Sequence, residues 1–206
     1  MVKNMEEQVL DNYRKEIKFE LPKYNLDRIY NDCLEVGFIR EFPNRKVESI
    51  YFDDIFNTFL EDSINGLLER KKIRLRRYND SNTGQLEEKV KNNHLNKKLI
   101  TPIKFVPNFS NYDELLKFIR DFYPEKNLIP AASISYSRIY LKNKKSNVRI
   151  TLDFQIETQE FQTNIFKELF NSFILEIKCN SDAELPMLDF GPQIRFSKYC
   201  FSRQNE

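Results

Sequence analysis

Cations occupy every second position through Arg70, Lys72, Arg74 and Arg76, in the stretch ERKKIRLRRY. In a strand, successive side chains point to opposite faces, so these four share one face. The same alternation recurs along the chain. YRKEIKFEL sets Arg14, Glu16, Lys18 and Glu20 against Tyr13, Ile17, Phe19 and Leu21, with Lys15 the single breach. Glu87, Lys89 and Lys91 share a face, as do Arg149, Thr151 and Asp153, and Glu176 and Lys178. SYSRIY adds Tyr136 and Arg138, and RFSKYC adds Arg195 and Lys198.

A solvated sheet face mixes lysine, glutamate, threonine and glutamine. Here arginine recurs at central strand positions, where its planar fork suits phosphate oxygens. Like charges facing each other across strands destabilise a sheet by about 0.2 to 1 kcal/mol per pair, so a face this basic calls for a polyanion. If the sheet closes with that face inward, the bore is a hydrophilic tunnel whose low-dielectric walls strengthen each contact with a chain of phosphates. Glu16, Glu87 and Glu176 share the basic face. One or two such carboxylates facing a triphosphate are what Mg²⁺ or Mn²⁺ needs when it bridges protein and substrate.

The elements that must carry these faces are mostly strands. They are expected at residues 13–21, 46–53, 69–78, 85–91, 132–142, 147–155, 172–179 and 193–201, with helices at 25–36, 55–65 and 111–123. The class is α+β: an eight-stranded antiparallel β-barrel with a few flanking helices. The 206 residues suit one domain at 13–201, with an N-terminal extension 1–12 and a tail 202–206. Net charge is only +2, which conceals how the 33 basic and 31 acidic groups are distributed. Four glycines and no GxxxxGK[ST] or GxGxxG exclude a glycine-rich phosphate loop, so side chains must hold any phosphate. The one histidine, His94 in the loop-like NNHLN, reads as a solvent-exposed imidazole rather than a catalytic one, which argues against His-based triads and most His-rich metal sites. Three widely spaced cysteines fit reduced structural thiols in a cytoplasmic protein. No apolar run is long enough to span a membrane.

These motifs resemble the VTC (vacuolar transporter chaperone) polyphosphate polymerase domain, a branch of the CYTH and triphosphate tunnel metalloenzymes. The likeness rests on RKEIK at 14–18, SIYFDD at 49–54, KIRLRRY at 72–78, LEEK at 86–89, YSR at 136–138, VRITLD at 148–153, LEIK at 175–178 and FSKY at 196–199, in the family's order. Arg14 stands where the wider superfamily has a first glutamate, and Lys97 and Lys98 stand where the family shows a basic pair containing arginine. The resemblance implies transfer of the ATP γ-phosphate onto a growing polyphosphate chain inside a basic tunnel, assisted by Mn²⁺ or Mg²⁺. It implies a stand-alone version, without the regulatory and membrane modules of eukaryotic relatives. By motif, the triphosphate-binding cations fall on Lys18, Arg74, Arg76, Lys89, Arg138, Arg149, Lys178 and Lys198, with Arg195 where relatives carry a lysine. Glu176 matches the metal-holding glutamate.

Together with the parity reading, catalytic contacts are expected from Arg74, Arg76, Lys89 and Lys198. Substrate-binding contacts are expected from Lys18, Lys72, Arg138, Arg149, Lys178 and Arg195, and metal contacts from Glu176 and Glu16. The expected partners are ATP and polyphosphate. Nucleic acid ranks low, because Phe19, Phe52 and Phe154 fall off the basic face and could not stack bases there. The same scaffold would also suit a triphosphate hydrolase, a nucleotide cyclase or a non-catalytic polyphosphate binder, and product analysis and metal dependence separate these.

Overall fold

The computed structural model describes residues 14–92, 95–180, 183 and 188–204. Tyr13, His94, the extension 1–12 and residues 205–206 of the tail lie outside the described residues. The chain runs β1 (Arg14–Pro22), α1 (Leu26–Glu35), β2 (Ile39–Asp54), α2 (Thr58–Ile64), β3 (Arg70–Tyr78), β4 (Gly84–Asn92) and β5 (Leu95–Ile103). It continues with α3 (Tyr112–Phe122), β6 (Leu128–Lys142), β7 (Arg149–Glu160), β8 (Phe166–Leu169), β9 (Ser172–Asn180) and α4 (Lys198–Arg203). The sheet has nine antiparallel strands in the order β1-β9-β7-β6-β2-β3-β4-β5, with β8 paired to β7.

The alternating pattern decides what each face meets. One side of β1, β6, β7 and β9 buries Ile17, Phe19, Ile139, Leu141, Ile150, Leu152, Leu175 and Ile177 with Ile29 and Cys33 of α1. The same side of β2, β3 and β4 buries Ile50, Phe52, Ile73, Leu75 and Leu86 with Leu115 and Ile119 of α3. The apolar side therefore lies outward under the helices, and the charged side faces in. Each fully buried aliphatic side chain is worth about 1.5 to 3 kcal/mol relative to exposure. α3 is capped by Asn111, whose Oδ1 accepts from the backbone of Asp113 and Glu114 at 3.1 and 3.2 Å. At α2, Asn57 makes no side-chain cap bond, and Asp53 takes over. Its buried carboxylate accepts from the N–H groups of Phe59 and Leu60, both at 2.9 Å, and from the Tyr199 hydroxyl at 2.6 Å.

The sheet is not closed into a barrel, contrary to expectation. β1 and β5 stand at its two ends and do not pair. The reason lies in residues 193–201, expected as the closing strand. They run extended only as far as Ser197 and then turn into α4, where the Ser197 hydroxyl accepts from the Cys200 N–H. The extended part lies against β1 by one backbone bond, from Ile194 N–H to the Lys18 carbonyl at 2.9 Å. Side chains span the rest of the gap: Lys89 of β4 meets Glu16 of β1 at 3.4 Å, and Lys72 of β3 donates to Ser197 at 2.8 Å. β5 and β8 were not expected; the NKKL stretch of β5 lacks clean alternation.

Candidate triphosphate-binding site

The concave side of the curled sheet encloses a cavity of about 840 Å³. Twelve lysines and arginines line it against three glutamates, Glu16, Glu87 and Glu176, although the whole chain carries only +2. Of the expected residues, Lys18, Lys72, Arg74, Arg76, Lys89, Arg138, Lys178, Arg195, Lys198, Glu16 and Glu176 are brought together here. Arg149 is not. It lies outside the lining, an exposed residue whose guanidinium is 4.0 Å from Glu41. Lys198 arrives from the first turn of α4 rather than from a strand.

Three acid-centred clusters hold the cations. In the first, Glu87 receives Arg74 Nε at 2.7 Å, Lys98 at 3.1 Å and Arg76 Nη1 at 3.8 Å. Arg76 also donates to Ser49 at 3.1 Å and to the Tyr136 hydroxyl at 3.2 Å, which fixes the plane of its fork. Burial alone would raise the Glu87 pKa, but Arg74, Arg76 and Lys98 outweigh it and hold the carboxyl far below its usual range. In the second, the fully buried Asp153 takes Arg138 at 2.5 and 2.7 Å and Lys198 at 2.5 Å. Burial pushes its pKa up, and Arg138 and Lys198 overcome that to bring it down to about 2.

In the third, Lys178 lies between Glu176 at 2.9 Å and Glu16 at 3.6 Å, with Lys18 3.9 Å from Glu176. Burial disfavours the Glu176 anion, but Lys178, Lys18, Arg138 and Lys198 hold its pKa well below the ordinary value. Lys72, by contrast, has no carboxylate within ion-pair reach among the described residues. Burial and the neighbouring Lys18 and Lys89 lower its pKa, with Tyr51 and Cys200 acting in the opposite direction.

Glu16 and Glu176 supply hard oxygen donors from the paired strands β1 and β9. Thr151, opposite Glu176 on β7, keeps a buried hydroxyl without a hydrogen-bond partner among the described residues. No group of three or more His, Cys, Asp or Glu side chains forms a metal cage among the described residues. This set fits a hard divalent ion that arrives with its substrate and completes its shell from phosphate oxygens and water.

Several lining residues were missed: Tyr51, Tyr78 and Tyr140 project inward among the arginines. Lys98, named with Lys97 by the family motif, also lines the cavity, from the unexpected β5. Tyr78 shares parity with Arg70 to Arg76, so extending the count by one step would have found it. Tyr51 accepts from Arg74 Nη1 at 2.9 Å and stacks on Tyr199 at 4.9 Å. Burial raises its pKa, while Arg74, Arg76 and Lys72 prevail and lower it to about 8.

The fold is shared with solved structures of low sequence identity. A candidate adenylate cyclase from Vibrio parahaemolyticus is 16% identical, with TM-score 0.53, covering 84% of this chain and 79% of its own. A candidate adenylate cyclase from Bacillus halodurans is 14% identical, with TM-score 0.52, covering 84% and 83%. No curated protein matches the chain. The family model described as the VTC domain matches residues 13–205. On that match the chain belongs to the VTC domain family.

Proposed function

We propose that this chain is a polyphosphate polymerase that transfers the γ-phosphate of ATP to the end of a polyphosphate chain within the cavity. The observation that carries the reading is the concentration of cations on the enclosed face, twelve against three glutamates, in a chain whose net charge is near zero. Family membership supports it. Phosphoryl transfer asks for positioning and charge stabilisation rather than a covalent nucleophile on the protein. Arg74 and Arg76, oriented by Glu87, Ser49 and Tyr136, hold the triphosphate from one wall. Arg138, Lys178 and Lys198 hold it from the other, with Lys18 and Lys89 at the gap between the sheet ends.

An oxygen of the incoming chain end attacks the γ-phosphorus in line. As that bond forms, the bond from the γ-phosphorus to the β–γ bridging oxygen breaks, and ADP leaves with the electron pair. The cations stabilise the charge spread over the transferring group. Glu176 and Glu16 would hold Mg²⁺ or Mn²⁺, which when bound neutralises charge on the triphosphate. Turnover of γ-labelled ATP is expected to fall about 100-fold in Arg76→Ala, the scale for a group that touches transition-state charge, and to vanish on chelation of divalent ions. Equal rates for wild type and Arg76→Ala, or full turnover in chelator, contradict the reading.

A further inference from the structure

Beside the lining cations, an aromatic rim adjoins the cavity at Tyr78 and Tyr140. Of the three register shifts in the pairing of β2 with β6, two flank Phe42, with Pro43 in the second of them. Such bulges re-aim side chains and tolerate a proline that a regular ladder would not. Arg40 pins the irregular segment, donating from Nε to the Phe42 carbonyl at 3.1 Å and from Nη2 to Asn44 Oδ1 at 2.6 Å. The bulges bring Phe42 and Arg45 against Tyr78 and Tyr140, which line the cavity. The Arg45 guanidinium carbon lies 4.2 Å from the Phe42 ring centroid, 5.5 Å from Tyr140 and 5.7 Å from Tyr78. Phe42 and Tyr140 meet edge to face, with centroids 5.5 Å apart at 87°.

Two properties of this rim call for a ligand of one kind. Phe42 remains 38% exposed, in edge contact with Tyr140 of the cavity lining. Arg45 has ring contacts only: among the described residues its five N–H donors have neither a carboxylate nor a hydrogen-bond acceptor. An acidic group would satisfy the charge but not the ring faces, and an aliphatic group would do the reverse. A flat heteroaromatic ring with acceptor nitrogens satisfies both, by stacking and by accepting from the guanidinium. The placement relative to the phosphate site agrees. Tyr140 is one same-face step from Arg138 on β6, about 7 Å along the strand, which leaves room for a ribose between a base at the rim and phosphates inside.

We propose that Phe42, Arg45, Tyr78 and Tyr140 form a nucleobase subsite, which makes the cavity prefer a nucleoside triphosphate to an inorganic one. The proposal rests on the triphosphate reading of the cavity. It is tested by calorimetric titration of wild type, Phe42→Ala and Arg45→Ala with two ligands, the β,γ-imido analogue of ATP and inorganic tripolyphosphate. Phe42 and Arg45 lie outside the core, so the variants keep the fold. The nucleotide is expected to bind wild type more tightly than tripolyphosphate does. Each substitution is expected to weaken it about tenfold, the scale of one lost stacking face, with tripolyphosphate unchanged. Equal affinity of wild type for the two ligands, or parallel losses for both in the variants, overturns the subsite and leaves the triphosphate site standing. Failure of wild type to bind either ligand overturns the triphosphate reading and the subsite with it.

Discussion

Asp153 shows how individual residues tune this cavity. It is fully buried and neutralises two cations from different elements, Arg138 of β6 and Lys198 of α4. Removing the charge leaves both uncompensated, so Asp153→Asn should destabilise the fold by about 3 kcal/mol in urea unfolding, and added tripolyphosphate should restore part of the loss. The folded carboxyl titrates at about 2 rather than its ordinary 3.8. Its contribution is therefore complete above about pH 4 and is lost as the pH falls through 2. The gap between wild type and Asp153→Asn should narrow over that window. Tyr51 carries the same signature: a phenol at about 8, brought down by Arg74, Arg76 and Lys72 against the effect of burial. Ultraviolet titration should show one tyrosinate appearing near pH 8 in wild type and absent in Tyr51→Phe. Tripolyphosphate should move that step upward, because its negative charge offsets the three cations. Most of the lining cations were legible as residues, since Arg74 and Arg76 or Glu176 and Lys178 need only parity to share a face. Which acid holds which cation was not legible, because the partners come from separate strands whose register the sequence does not state.

At the scale of elements, the strand pattern was legible wherever one face is apolar and the other charged, as in β1, β3, β7 and β9. It failed at β5 and at the segment 193–201 beside β1. β5 pairs with β4 on one side only, so its side chains are not held to strict alternation. The segment 193–201 alternates like a strand, yet Ser197 supplies a helix cap that sequence parity does not weigh. β7 hides a further irregularity. Gln155 has φ of 54°, and the register slips opposite Tyr136, so the inward parity changes from Asp153 to Ile156. Gly84 shows how tightly β3 and β4 approach: a Cβ there would stand 2.6 Å from both the Arg76 carbonyl oxygen and Val106 Cγ1. Gly84→Ala should cost about 1 to 3 kcal/mol in denaturant unfolding and, by displacing Arg76, weaken tripolyphosphate binding. Unchanged stability would mean that the two strands separate freely at that point.

At the scale of the whole molecule, an open sheet takes the place of the expected closed barrel, and the gap between its ends is spanned by Glu16, Lys89, Lys72 and the segment before α4. The enclosed basic face survives this change, because enclosure depends on curl and packing rather than on a final row of hydrogen bonds. A cavity with so large an excess of cations should lose tripolyphosphate affinity several-fold as ionic strength rises, read by calorimetry across a salt series. The central claim is the reaction. Its most direct test is to incubate the protein with γ-labelled ATP and Mg²⁺ or Mn²⁺ and separate the products by size, with Glu176→Ala alongside. A ladder of long phosphate chains, absent in Glu176→Ala, is the predicted result; labelled free phosphate or pyrophosphate with no ladder would contradict it.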